Sequence, residues 1–154
     1  MIRHIECDIF ESGADIICHQ VNCQGVMGGG LAKQVREKYP RVFEFYKSRC
    51  DDARNKKSLL GIVQFASIGD NRHIANLFAQ EAFGYDDKCY TDYKALKTCL
   101  TTVRDMYVKK DVIAIPYLLG CGLARGDWSV VYNIIKEVFE DSEIEVLICE
   151  YVRK

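Results

Sequence analysis

Two clusters of glycine stand ahead of helix-like stretches in this 154-residue chain. Gly25-Val26-Met27-Gly28-Gly29-Gly30 precedes Leu31, and Gly120-Cys121-Gly122-Leu123 lies a few residues before Trp128. Glycine adopts backbone conformations that other residues resist, and the free amides at the start of a helix point at whatever lies beyond it. Each cluster is therefore suited to an anion, and two such walls suit the two phosphates of one diphosphate. Just before the first cluster come His19, Asn22 and Cys23. An imidazole transfers protons near neutral pH, and a thiol is a nucleophile only as its thiolate. Each has a plainer reading: His19 hydrogen-bonded within a strand, and Cys23 and Cys121 as small residues packed in the loops. Asp127 either serves the site or caps the helix that follows. Neither cluster continues into Gly-Lys-Ser/Thr, and the first does not spell Gly-x-Gly-x-x-Gly, which argues against P-loop ATPases and dinucleotide-dependent dehydrogenases.

These residues need a framework, and the hydrophobic pattern supplies one. Residues 2–8 and 14–21 read as strands, and the first glycine cluster then leads into a helix over 31–39 that stops before Pro40. Residues 42–50 keep an aromatic face through Phe43, Tyr46 and the neighbouring Phe45, and 51–58 reads as a polar surface loop. Two β-rich segments, 60–67 and 73–78, flank Gly69-Asp70-Asn71, a turn that favours an antiparallel hairpin. Leu96, Leu100, Val103 and Tyr107 mark one face of a helix over 92–107, with Thr91 and Asp92 available as N-caps. A strand at 112–116 leads to the second glycine cluster, a helix follows over 128–139, and 144–151 closes as a strand. Between them, 80–92 carries Phe83, Tyr85 and Tyr90, which either stack on a ligand or pin the loop to the surface. Strands alternate with helices, so the chain reads as α/β, a sheet layered between helices, in one domain over 1–154.

Bulk composition narrows the partners. Lys plus Arg total 21 against 22 Asp plus Glu. That leaves no net field to hold a nucleic-acid backbone or an anionic membrane, and a small molecule becomes the expected ligand. No apolar run approaches the roughly 20 residues of a membrane span, and no export signal is legible at the start. The eight cysteines mostly lie inside apolar runs, as in a reduced, cytoplasmic protein. The tight group Cys18, His19 and Cys23 lacks the Cys-x-x-Cys pairs of structural zinc, so neither a metal nor another cofactor is expected.

Val21-Asn22-Cys23-Gln24-Gly25-Val26-Met27-Gly28-Gly29-Gly30-Leu31-Ala32 resembles the first ligand loop of macrodomains. The likeness extends to Asp8-Ile9, Asn76-Leu77-Phe78, Ile115-Pro116, Gly120-Cys121-Gly122-Leu123 and Asp127-Trp128, and so covers nearly the whole chain. The loop variant is similar to the subgroup of terminal ADP-ribose glycohydrolases and yeast-type ADP-ribose 1''-phosphate phosphatases. The resemblance implies a three-layer α/β/α sandwich with a mixed central sheet and a pocket for ADP-ribose or a derivative, free or linked to a protein. It implies that Asp8 accepts from the adenine amino group with the Ile9 amide nearby, and that Asn22 orients the distal ribose. Gly28, Gly29, Gly30 and Leu31, with Gly120, Cys121, Gly122 and Leu123, would cradle the diphosphate and that ribose. It further implies hydrolysis, with His19, Asn22 and Asp127 as catalytic candidates. The chain departs from the glycohydrolase pattern at two positions: Gln80 replaces the lysine that forms a covalent sugar adduct, and Ala124 replaces an aspartate. Ala32 stands where another macrodomain class carries an acid. The competing expectations are removal of the 1''-phosphate, removal of ADP-ribose from a modified macromolecule, and recognition without chemistry.

Overall fold

The computed structural model describes residues 1–108 and 110–153. Six strands form one sheet: β1 (Ile2–Glu6), β2 (Ile16–Asn22), β3 (Val63–Gly69), β4 (Arg72–Gln80), β5 (Val112–Pro116) and β6 (Glu145–Glu150). Their order is β1-β6-β5-β2-β4-β3, parallel throughout except for the antiparallel β3–β4 pair at one edge. The helices are α1 (Gly30–Lys38), α2 (Pro40–Asp52), α3 (Tyr93–Met106) and α4 (Trp128–Phe139).

Strand side chains alternate between the two faces of the sheet, and that alternation builds two cores. Ile16 and Cys18 of β2, Ala75 and Leu77 of β4, and Ile113 and Ile115 of β5 pack under α3 and α4, against Leu96, Leu100, Val131 and Ile135. Ile17 and Val21, Ile74 and Phe78, and Ala114 face the opposite way, against Val35 of α1 and Val42, Tyr46 and Cys50 of α2. The result is the expected α/β/α sandwich with a mixed sheet. Parallel strands buried on both faces read as near-continuous apolar runs, which is why β2 and β5 were legible.

Local chemistry sets the element ends. Asp92 and Asp127 accept from the backbone amides of Ala95 and Ser129, so both act as N-caps, whereas Thr91, the other candidate, lies one residue before the α3 cap. Pro40 is the first residue of α2, where its missing amide leaves no donor unpaired. The β3–β4 turn holds Asp70 and Asn71 at φ of 53° and 59°, the left-handed pair of a two-residue hairpin. Several features differ from the sequence pattern, among them the hairpin strands, which run over Val63–Gly69 and Arg72–Gln80 rather than 60–67 and 73–78. The first strand ends at Glu6, because Asp8 already caps a 3-10 turn over Ile9–Glu11. The 51–58 stretch is not a plain loop: α2 runs to Asp52 and a 3-10 turn covers Lys56–Leu59, whose Leu59 is fully buried. Phe45 is 52% exposed and leaves the aromatic face to Tyr46 and the half-buried Phe43. Among the described residues no helix is long and apolar enough to cross a membrane.

Candidate functional site

From β2 the chain passes through α1 and α2 toward the β3 edge, whereas from β5 it passes through α4 toward β6. The neighbouring strands β2 and β5 are thus the point at which the winding reverses, and the loops leaving their carboxyl ends must splay apart. A cleft of about 330 Å³ opens there. Its lining includes His19, Gln20 and Asn22 from the end of β2, Gly28, Gly29, Gly30 and Leu31 from the first loop, and Gly120, Gly122 and Leu123 from the second. The size falls within the usual range of small-molecule sites.

The first loop is held from inside. Asn22 Oδ1 accepts from the Gln24 amide at 2.9 Å, and its Nδ2 donates to the Val26 carbonyl at 2.8 Å. From beneath, the buried Tyr46 hydroxyl lies 2.7 Å from the Asn22 carbonyl and 2.8 Å from Asn22 Oδ1, donating to both. Asn22 therefore lines the cleft while its side chain ties the loop together. Burial raises the Tyr46 phenol, which stays protonated and keeps donating.

The second loop closes on itself through the Gly126 amide, which donates to the Gly120 carbonyl at 2.8 Å. Thr91 Oγ1 donates to the same carbonyl at 2.6 Å and accepts from Gln20 Nε2, whose amide also donates to Gln80 Oε1 at 2.9 Å. Gly120 sits at φ +71°, and a Cβ there would lie 2.7 Å from Gln20 Oε1. A Cβ on Gly29 would lie 2.8 Å from Leu123 Cδ1. The two loops thus touch across the cleft, and glycine is what lets them.

His19 is 1% exposed, with Nε2 2.5 Å from Asn76 Oδ1. Burial pushes its imidazole down to about 4, so it is neutral at physiological pH. Burial also raises the Cys23 and Cys121 thiols, to about 12 and about 11, which keeps both out of the thiolate form. Cys23 is 0% exposed, and all eight cysteines are free. Gln80 lines the cleft and is held by Gln20 and by the Ala82 carbonyl, and Ala124 is 7% exposed beside it.

Asp8, Ile9, Cys121 and Asp127 lie outside the lining of the cleft. Asp8 accepts from the Phe10 amide. Asp127 accepts from the Ser129 hydroxyl and amide, bonds that hold its carboxylate below the usual range. In the 80–92 segment, Phe83 and Tyr85 stand at the mouth of the cleft, 43% and 77% exposed. Tyr90 instead pins the loop, its hydroxyl bonded to Asp86 and its amide to the Ala124 carbonyl. Tyr46, Gln20, Thr91 and Gln64 were not among the sequence candidates. For Tyr46, Gln20 and Gln64 the only signal was polarity at positions that the strand and helix patterns assign to the interior, and Thr91 read only as a helix cap. Among the described residues no group of three or more His, Cys, Asp or Glu is placed to hold a metal ion.

No protein-family model matches the chain. Individual proteins do. The DNA ADP-ribosyl glycohydrolase of Mycobacterium bovis is 24% identical over 140 residues, 91% of this chain and 39% of that protein. The ADP-ribose 1''-phosphate phosphatase of Neosartorya fischeri is 45% identical over 53 residues, 33% of this chain and 26% of that one. The chain thus spans about two fifths of the first of these relatives and a quarter of the second. Among solved structures, a protein of unknown function from Bacteroides thetaiotaomicron superposes with a TM-score of 0.86 at 29% identity, covering 97% of this chain and 98% of the other. A macrodomain protein from Streptomyces coelicolor gives 0.81 at 25%, covering 99% and 100%. Thermosipho africanus DarTG, solved in complex with ADP-ribose, gives 0.77 at 23%, covering 99% of this chain and 42% of that one. With its glycine loops meeting at the β2–β5 reversal, the chain has the fold of the macrodomains to which it is similar along its length.

Proposed function

We propose that this chain, as one macrodomain over residues 1–154, binds ADP-ribose in the β2–β5 cleft and hydrolyses an ADP-ribose derivative in the cytoplasm. The observation that carries the proposal is the meeting of two glycine loops across a single cleft, the first running directly into the start of α1. Amides of Gly28, Gly29, Gly30 and Leu31 on one side, and of Gly120, Gly122 and Leu123 on the other, provide donors for a diphosphate without a metal or a lysine, whereas the Cys121 amide is spent on the Leu118 carbonyl. Phe83 and Tyr85 at the mouth offer faces for a base or a sugar. Asp8 and Ile9 would meet the adenine beyond that lining. Relatives named as hydrolases of ADP-ribosyl groups and of ADP-ribose 1''-phosphate support the choice of ligand.

The side chains limit the route. Gln80 carries no amine, so no Schiff base with the sugar forms at that position. Water is the available nucleophile, and His19 and Asn22 stand in the cleft lining beside Gln20 and Gln80, whose amides are tied to each other. Removal of the 1''-phosphate from the distal ribose fits this set without a covalent intermediate. Gln80 and Ala124 favour a second reading, in which the chain recognises free or protein-linked ADP-ribose and does no chemistry.

A phosphorus NMR time course on ADP-ribose 1''-phosphate separates the two. Release of inorganic phosphate by the parent protein and not by His19→Ala is the expected result. Shifted and broadened diphosphate signals without release would establish the reader. Unchanged signals would overturn the ligand.

A further inference from the structure

Three buried polar side chains lie side by side beneath the cleft. His19 on β2 pairs with Asn76 on β4, and Asn76 pairs in turn with Gln64 on β3. Residues two places along the same strands, Ile17, Val21, Ile74, Phe78 and Ala66, belong to the apolar core under α1 and α2, so all three polar groups project into that core. They are 1%, 0% and 8% exposed. Polar groups placed in such surroundings destabilise the fold unless each is hydrogen-bonded, and these form a row. Gln64 Nε2 donates to the Phe45 carbonyl on α2 at 3.1 Å, Asn76 Nδ2 donates to Gln64 Oε1 at 2.9 Å, and His19 Nε2 lies 2.5 Å from Asn76 Oδ1.

The direction of that row is fixed from one end. A backbone carbonyl only accepts, so Gln64 must turn its NH2 toward α2 and its Oε1 toward Asn76. Asn76 must then turn its NH2 toward Gln64 and its Oδ1 toward His19. An amide oxygen also only accepts, so the hydrogen between them is on His19 Nε2. The ring is neutral at physiological pH, and a neutral ring protonated at Nε2 has a bare lone pair at Nδ1. That Nδ1 is buried, without a hydrogen-bond partner among the described residues, in a side chain that lines the cleft.

We propose that the row Phe45–Gln64–Asn76 sets the tautomer of His19 so that Nδ1 meets the ligand as an acceptor, and that Asn76 and Gln64 are positioning residues. The group received there is an O–H, either a ribose hydroxyl of the ligand or a water beside it. A phosphate oxygen, having no proton to give, is turned away from this point and left to the glycine loops. The tautomer follows from the free protein, whereas its partner rests on the ADP-ribose reading.

The test is a long-range proton–nitrogen NMR spectrum of protein labelled with 15N-histidine, with His19 assigned through His19→Gln. At pH 7 the His19 ring is expected to show a protonated Nε2 and an unprotonated Nδ1, and addition of ADP-ribose should move Nδ1 upfield while Nε2 holds. A protonated Nδ1 in the free protein would overturn the proposal. So would binding of ADP-ribose, seen in its own phosphorus signals, that leaves Nδ1 unmoved. Failure of ADP-ribose to bind would instead overturn the ligand reading, with the tautomer still judged by the free spectrum. Gln64→Leu releases the Asn76 amide to present either end to His19, so the spectrum should become a mixture of tautomers and ADP-ribose should bind about tenfold more weakly, the loss of roughly one hydrogen bond. Asn76→Asp keeps an acceptor at Nε2 and adds a charge, so it should preserve the tautomer while raising the pH at which His19 titrates. A single unchanged His19 signal in Gln64→Leu would show that the row does not set the ring.

Discussion

Tyr46→Phe removes one oxygen from the interior and nothing else. The ring is fully buried between Phe43 and Phe78, with centroids 6.4 and 5.7 Å away, and phenylalanine preserves those contacts. What is lost is the donor to Asn22, at both its carbonyl and its Oδ1. A hydrogen bond contributes about 1 kcal/mol net, and a buried acceptor left without its donor costs about 1–2 kcal/mol more, so the variant should be roughly 2–3 kcal/mol less stable. For a domain of this size that lowers the unfolding midpoint by roughly 4–12 °C. The second consequence concerns binding. Asn22 shapes the loop that leads to Gly28, Gly29 and Gly30, and without Tyr46 it keeps only the loop's own backbone as partner. If one or two residues of that loop become free and must be reordered by the ligand, about 1–3 kcal/mol is lost from binding, a weakening of roughly 5- to 150-fold. Thermal unfolding and calorimetric titration with ADP-ribose, on the same preparations, measure the two effects. A lowered midpoint with unchanged affinity would refute the idea that Tyr46 prepares the loop. Unchanged values in both would show that the buried hydroxyl contributes nothing.

Two further outcomes follow from the same geometry. Gly126→Ala would set a Cβ 2.6 Å from the Gly120 carbonyl oxygen, a backbone atom that cannot step aside alone. Titration should show much weaker ADP-ribose binding than for Gly29→Ala, whose Cβ meets only the movable, 49%-exposed Leu123 side chain. The pH dependence of stability should carry the mark of His19. Its pKa falls from 6.5 in the unfolded chain to about 4 in the fold, so above 6.5 both states are neutral and nothing is lost. Between 6.5 and 4 the unfolded chain takes up the proton first and stability declines, by a total on the order of 3 kcal/mol. Denaturant unfolding at pH 7 and pH 4 should therefore differ less in His19→Gln than in the parent, and equal differences would refute this assignment.

What the sequence determined by itself was the part written in local chemistry. Apolar runs marked β2, β5 and β6, periodicity marked α3 and α4, and Asp92 and Asp127 supplied caps that the structure uses. The glycine clusters identified both loops, because only a backbone that must turn sharply or approach another closely needs that residue at those points. Even so, residue order alone did not separate the cleft-lining Gly122 from its neighbour Cys121, which lies outside the lining. Tertiary structure alone decided which polar groups share an environment. Gln64, Asn76 and His19 are 12 and 57 residues apart along the chain, and only strand register makes them neighbours. Tyr46 read as one aromatic among three until packing buried it and turned its hydroxyl to Asn22, and the same packing left Phe45 outside. Hydrogen bonds and burial depend on partners distant in sequence, so the protonation of His19 and the bracing of the first loop emerged only when the strands were laid side by side.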